Sequence, residues 1–249
     1  MDVPAARHAI AVLRLLAARP EPLPAATVAR ELGLPRSSVY KLLTVLQEEG
    51  FVQHLPEERR YGLGVAAFEL GSAYSRHDGL VRLARPVVDR LVQATTHNAH
   101  VAVLHGRDVL YLVEIRAPGR PTLVSDVGVR LPAHLTASGL AMLAALPAAQ
   151  VRALYPDPSA FVDRHGVGPG SLTALRRELG AVRARGYAVE EGSVTPGIGS
   201  VAVVAHDHTG LPVAAVSLSY PSGEPATRGQ REAVAAAAEE LTRRVRGRV

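Results

Sequence analysis

The chain has 249 residues, of which 47% are hydrophobic and 20% charged, and its formal net charge is +5. This composition excludes a disordered chain, and the length allows one large domain or two smaller ones. There is no cysteine, which excludes disulfides, thiolate zinc sites, iron–sulfur clusters and a cysteine nucleophile. No apolar run suits a membrane span or a signal peptide, so we expect a cytoplasmic protein.

Three helices are predicted near the amino terminus, at 6–18, 25–32 and 35–49. Gly33 suits a left-handed residue after the second helix, and Pro35 suits the first turn of the third. An apolar stripe on the first helix is predicted to be buried: Ile10, Leu13, Leu16 and Ala17. The tight spacing between the second and third helices is typical of a helix-turn-helix.

Two short strands, at 51–54 and 60–63, follow the third helix and complete the layout of a winged helix-turn-helix. A linker helix is predicted at 65–78, with Gly79 as a boundary. The remaining sequence alternates strands and helices, which indicates an α+β domain. The predicted domains are a winged helix-turn-helix at 1–64, the linker helix at 65–79 and a second domain at 80–249.

The second domain contains hairpin signals between apolar runs and several amphipathic segments. Strands are predicted at 99–104, 109–114, 121–127, 187–191, 200–205 and 213–220. Helices are predicted at 80–95, 136–145, 148–155, from Ser171 through Val182, and at 230–245.

The third helix is the predicted DNA-reading element, because such a helix places its amino-terminal half against base edges. In this chain that half carries Arg36, Ser37, Ser38, Tyr40 and Lys41. The wing formed by the two short strands carries Arg59 and Arg60, which we expect to contact phosphates. The alternative is a three-helix packing module that binds no DNA, since 1–64 has eight basic against seven acidic residues.

Several segments of this chain resemble the IclR family of bacterial transcriptional regulators: 32–43, 49–52, 60–64, 127–139, 175–187, 190–191 and 202–203. The resemblance implies an α+β protein with a winged helix-turn-helix, a linker helix and a GAF-like effector domain. It also implies a homodimer, in some members a tetramer, on a palindromic operator in double-stranded DNA. The effector of such a protein is a small metabolite, often a carboxylic or aromatic acid.

The same resemblance assigns an effector site in the second domain. Its residues are the backbone of Ala137 and Ser138, the polar side chains of Glu190 and Ser200, and the apolar walls Leu123, Leu131 and Ile198. The short helix after Thr136 begins with free N–H groups, which attract carboxylates. Two positions depart from the family pattern. Ser200 stands where many members have cysteine, and Leu140 stands where many have lysine, which disfavours a generic carboxylate ligand or makes the pocket more apolar.

Other motifs are weaker. The glycines of 197–199 resemble a dinucleotide fingerprint but precede a predicted strand, where the fingerprint requires a helix. The histidine pairs His97/His100 and His206/His208 border predicted turns, so we expect solvated loop histidines and no metal site. No catalytic triad or cofactor motif is found, which favours a regulator over an enzyme. An enzyme, or a ligand-free oligomerisation module, fused to the helix-turn-helix is the alternative.

Overall fold

The computed structural model describes residues 3–19, 21–77, 79–120, 123, 125–223 and 225–247, without the side chains of 72–77. The chain forms two compact units, Met1–Asp78 and Gly79–Val249. Each unit has its own hydrophobic core.

The first unit begins with three helices, α1 (Pro4–Ala17), α2 (Ala25–Leu32) and α3 (Arg36–Glu48). Its core is made of side chains that these helices turn towards one another: Val12, Leu16, Ala25, Val28, Ala29, Val39, Leu43, Leu46 and Val52. Gly33 ends α2 at φ 64°, and the N–H of Leu34 donates to the carbonyl of Ala29 at 3.0 Å. This left-handed residue lets the chain reverse tightly into α3.

The buried stripe of α1 differs from the predicted one. Val12 is fully buried and Leu16 is 5% exposed, whereas Ile10 is 51% exposed. Ala17 is also exposed. The predicted stripe was therefore wrong at Ile10 and Ala17, because the helix turns the neighbouring apolar positions to the core and leaves those two outside.

A hairpin follows α3 and forms the wing. Strands β1 (Val52–Leu55) and β2 (Arg60–Leu63) are antiparallel. Leu23 adds a bridge to this hairpin, since its N–H and carbonyl both pair with Tyr61, at 2.9 and 2.8 Å. Helix α4 (Val65–His77) comes next and ends the described part of this unit.

The second unit is built on a six-stranded sheet of order β5-β4-β3-β8-β7-β6, in which all pairs are antiparallel. The strands are β3 (Asn98–His105), β4 (Asp108–Ile115), β5 (Arg130–Pro132), β6 (Ala188–Glu191), β7 (Ile198–His206) and β8 (Pro212–Pro221). Alternate residues of each strand point to opposite faces, so the sheet has two different cores.

Helices cover both faces of this sheet. α5 (Gly79–Thr95) and α9 (Arg228–Arg246) pack on one face. α6 (Ala137–Ala145) and α8 (Leu172–Arg185) pack on the other, with α7 (Ala148–Leu154) beside them. Eight of the nine residues of α6 are buried, as expected of a helix that is apolar on nearly all sides.

The strand predicted at 121–127 is absent from the part of this segment that the structure describes. Pro121, Thr122 and Val124 lie outside the described residues. Residues 125–126 are irregular, and 127–128 form a turn in which the Asp126 carboxylate accepts the Val127 N–H at 2.7 Å. The sheet gains its edge strand at β5 instead. The apolar run was misread because an aspartate that bonds the adjacent backbone stabilises a turn.

Candidate nucleic-acid interface and ligand cavity

Helix α3 presents its predicted DNA-reading residues on the surface. Arg36, Ser37 and Lys41 are exposed, Tyr40 is 54% exposed, and Ser38 is half-buried. Neither Arg36 nor Lys41 has a side-chain partner among the described residues. The opposite side of α3 is held in the core, so the backbone is rigid while these side chains stay available.

The two wing arginines differ in their surroundings. Arg59 is exposed at the tip of the hairpin, at φ 53°. Arg60 is half-buried and donates to the carbonyl of Pro22 at 3.2 Å, with the carboxylate of Glu21 at 3.5 Å. Arg59 therefore offers its guanidinium directly to a partner, whereas Arg60 must first exchange partners within its own unit.

In the second unit, two rows of polar side chains cross the sheet face that α6 covers. In the first row, the strand register places four polar residues directly opposite one another: Asn98, Ser219, Ser200 and Glu190. The second row contains Glu114, His100 and Ser217. A buried sheet face is normally apolar, so these rows mark the region as a site.

A small, partly open cavity lies over these rows. Its lining is polar at the sheet and mixed above it: His100, Tyr111, Leu123, Ser125, Thr136, Ala137, Ser138, Glu190, Val194, Thr195, Ile198, Ser200, Ser217 and Ser219. Small-molecule sites usually combine apolar walls with a few polar groups, as this lining does.

Hydroxyl groups bond across the cavity floor and to α6. The Ser138 hydroxyl donates to that of Ser217 at 3.0 Å, and the hydroxyls of Ser200 and Ser219 lie 3.1 Å apart. Ser200 also bonds to Glu190 and Ser138 to Tyr111, and the four hydroxyls keep acceptor capacity for a ligand.

The amino end of α6 opens onto the same cavity. The Thr136 hydroxyl caps this helix by accepting the Gly139 N–H at 2.9 Å. The N–H groups of Ala137 and Ser138 have no partner among the described groups, as expected of the first turn of a helix. Gly139 is required here, because a Cβ at this position would lie 2.1 Å from the carbonyl oxygen of Ala133.

Burial determines the charge state of the cavity. It raises the pKa of the Glu190 carboxyl to about 7, although hydrogen bonds from Ser200 and the Ser193 N–H oppose the change. Burial, assisted by Arg116, lowers the pKa of His100 to about 4. His100 is therefore neutral at pH 7, while Glu190 is partly ionised. None of the described lining residues is a lysine or an arginine.

The structure brings together six of the seven residues assigned to the effector site: Leu123, Ala137, Ser138, Glu190, Ile198 and Ser200. Leu131 does not line the cavity. It lies on β5, 4% exposed, within the core between the sheet and α6. The apolar side chain of Leu131 therefore packs in the core and does not form a wall of the cavity.

Sequence reasoning missed several lining residues: His100, Tyr111, Ser125, Thr136, Val194, Thr195, Ser217 and Ser219. A signal was present in β8, where Ser217 and Ser219 alternate with Val216, Leu218 and Tyr220. Serines at every second position of an otherwise apolar strand indicate a polar patch on one buried face.

The histidine prediction was wrong for His100. This residue is 1% exposed in the interior of β3, and its Nε2 lies 3.1 Å from the Ser125 hydroxyl. His208 does lie exposed in a turn. The dinucleotide fingerprint fails as expected, because Ile198–His206 is a strand. Among the described residues, no group of three or more potential metal ligands is found.

Family models match both units of the chain. The IclR helix-turn-helix domain matches residues 5–56, and the bacterial transcriptional regulator IclR C-terminal domain matches residues 72–245. The chain belongs to the IclR family. It is a DNA-binding transcriptional regulator.

Individual relatives agree with the family models. A glycerol operon regulatory protein of Streptomyces coelicolor is 34% identical over 218 residues, which cover 88% of this chain and 85% of the relative. The crystal structure of the Thermotoga maritima IclR has a TM-score of 0.74 at 26% identity, and the match covers 97% of this chain and 98% of that one.

An IclR homologue of Microbacterium hydrocarbonoxydans, solved in complex with 4-hydroxybenzoate, shares the fold with a TM-score of 0.83 at 23% identity. The match covers 98% of this chain and 99% of that one. The fold of this IclR-family chain is thus the α+β fold of its relatives. None of the helices built from described residues is both long and apolar enough to cross a bilayer.

Proposed function

We propose that this regulator reads its operator through α3 and the wing, and that a metabolite held in the cavity beneath α6 changes its operator affinity. The observation that carries the proposal is the pair of polar rows sealed inside an apolar core. Burying hydroxyl and carboxyl groups costs free energy unless they are hydrogen-bonded, so such rows are expected where a ligand completes the bonding.

At the DNA, each exposed residue of α3 has a proposed role. Arg36 and Lys41 donate to guanine edges, Ser37 and Ser38 contact bases or phosphates, and Tyr40 contacts a base or sugar. Arg59 contacts a backbone phosphate directly. Arg60 makes a second phosphate contact once it leaves Pro22 and Glu21.

The operator is proposed to be palindromic because the protein is proposed to be a dimer. Helix α4 exposes three apolar side chains, with Val65 67%, Phe68 74% and Leu70 65% exposed. Exposed apolar patches of this kind mark interaction surfaces, and a second copy of the same chain is the proposed partner. Ile10 of α1 adds to the exposed apolar surface of the first unit. Pairing of two such dimers gives the proposed tetramer.

In the cavity, the proposed contacts are the N–H groups of Ala137 and Ser138, and the side chains of Glu190 and Ser200. Leu123 and Ile198 form the apolar walls, and Leu131 supports them from the core. Two ligand classes fit these groups. A carboxylic or aromatic acid would place its carboxylate at the amino end of α6. A neutral hydroxylated molecule would instead bond to the serine hydroxyls and Glu190.

The test is a selection of genomic DNA fragments by the purified full-length chain, followed by affinity measurements across a salt series. We expect a selected palindromic fragment to bind more tightly than a scrambled one, with affinity that falls steeply as salt rises. Equal affinity for the selected and scrambled fragments, with and without a metabolite extract, would contradict operator recognition.

A further inference from the structure

The cavity lining is rich in hydroxyl groups and lacks basic side chains. Seven of its fourteen described lining residues are serine or threonine. The only carboxyl group among them is that of Glu190, and His100 is neutral. A ligand in this cavity therefore meets groups that both donate and accept, together with one strong acceptor.

The two hydroxyl pairs can hydrogen-bond to different groups of the same ligand. Ser217 and Ser219 point to the same face of β8, and their Cα atoms are about 7 Å apart along the strand. Ser138 bonds to the first and Ser200 to the second, so the two pairs stand side by side on the cavity floor. Glu190 lies opposite Ser200 in the register and closes the row.

An anionic ligand is disfavoured by this arrangement. Its carboxylate would be balanced only by the N–H groups of Ala137 and Ser138, while the ionised form of Glu190 would repel it. Leu140 is apolar and belongs to the core of the unit, so it supplies no compensating charge. A hydroxyl group on a neutral ligand, by contrast, can donate to Glu190 and also bond to a serine pair.

We propose that the effector is a small uncharged polyol, an alditol of about three to five carbons, bound with adjacent hydroxyls between the two serine pairs and Glu190. This inference rests on the proposed function of the cavity as the effector site. It replaces the acid class with a neutral one, and it makes Glu190 the residue that determines ligand specificity.

The test measures binding by calorimetry to the full-length chain, with two matched sets of probes. One set contains alditols of three, four and five carbons. The other contains monocarboxylates of the same chain length, together with benzoate. We expect an alditol to bind and the acids to bind at least tenfold more weakly.

Glu190→Gln is expected to change the binding affinities of the two ligand classes in opposite directions. For a polyol, the substitution removes an ionised acceptor and weakens binding by about 10- to 100-fold at pH 8. For an acid, it removes a repulsive charge and tightens binding. Glu232→Gln is the matched control, because Glu232 is an exposed carboxylate of α9 that pairs with Arg228 at 2.7 Å and does not line the cavity. This control is expected to leave both affinities unchanged.

Ser219→Ala provides a second variant if Glu190→Gln folds poorly, and it is expected to weaken alditol binding without affecting benzoate. An acid that binds the wild type as tightly as an alditol does would overturn the proposal, and so would an absence of alditol binding in the wild type. Operator affinity is measured on the same samples. Loss of selective operator binding would refute the proposed function, whereas an acid ligand on an intact operator binder would refute only the ligand class.

Discussion

Glu190 is the residue whose environment has the clearest energetic consequence. It is 8% exposed, and burial raises the pKa of its carboxyl to about 7. Tyr111 and Glu191 face it as further titratable groups, and the pKa values of Tyr111 and Tyr220 are raised as well. Between pH 4.5 and 7 the native carboxyl holds a proton that the unfolded chain has released, so stability falls as pH rises through this window.

Glu190→Gln is therefore expected to stabilise the protein at pH 8. The shift of the pKa to about 7 corresponds to a cost of about 3 kcal/mol at most once the carboxyl is ionised, and glutamine avoids it. Urea unfolding at pH 5 and pH 8 measures the difference between wild type and variant. The gain should be small at pH 5 and largest at pH 8. An equal gain at both pH values would show that ionisation of Glu190 is not the cause.

Substitutions of Arg36 and Lys41 test whether the exposed face of α3 contacts DNA. If the side chain contacts a base, Arg36→Ala or Lys41→Ala is expected to weaken operator binding by about 1–3 kcal/mol. If it contacts a phosphate, the slope of log affinity against log salt concentration is expected to fall by about one. Neither variant should change the unfolding midpoint, because both side chains are exposed. Arg177→Ala, an exposed arginine of the second unit, is the control. Unchanged operator affinity would exclude the substituted residue from the interface.

Helix α6 connects the cavity to the hydrophobic core of the second unit. Its first turn supplies the unpaired N–H groups, and its position depends on Gly139, where a Cβ would lie 2.1 Å from the Ala133 carbonyl oxygen and 2.4 Å from its Cα. Backbone atoms cannot move aside as a flexible side chain can, so the helix itself must shift.

Gly139→Ala is expected to destabilise the second unit by several kcal/mol, roughly the cost of overpacking together with a displaced cap. Gly180→Ala is the matched control, since nothing lies within 4 Å of a Cβ at that position of α8. The control should be neutral or stabilise by about 0.5–1 kcal/mol. Thermal unfolding of both variants measures the contrast, and similar midpoints for the two would contradict the packing argument.

The sequence predicts most helices and strands because their signals are local. Pro35, Gly33 and the serine before α8 mark helix ends, and the apolar periodicity marks the faces. The segment 121–127 was misread because turn formation by Asp126 competes with a weak strand signal. Most of the cavity residues could not be assigned from the residues alone, since Ser217 and His100 meet only through the strand register.

The proposed palindromic operator requires two copies of the chain. The uncovered apolar side chains of α4 are the proposed contact, and Phe68 is the most exposed of them. Phe68→Glu should convert the dimer to a monomer, as measured by sedimentation, and weaken operator binding, because a palindrome then contacts one half-site at a time. Leu211→Glu, at a 61% exposed leucine of the second unit, is the control. A dimer that persists in Phe68→Glu would place the interface elsewhere.

The link between the cavity and operator binding is tested most directly by titrating fluorescent operator DNA with wild type and with Ser200→Val, each with and without a metabolite extract. Ser200 lines the cavity, and valine replaces its hydroxyl with a larger, apolar side chain. We expect equal operator affinity without metabolites and a metabolite-induced shift of that affinity in the wild type that is lost or reduced in the variant. An equal shift in both proteins would show that the effector acts outside this cavity.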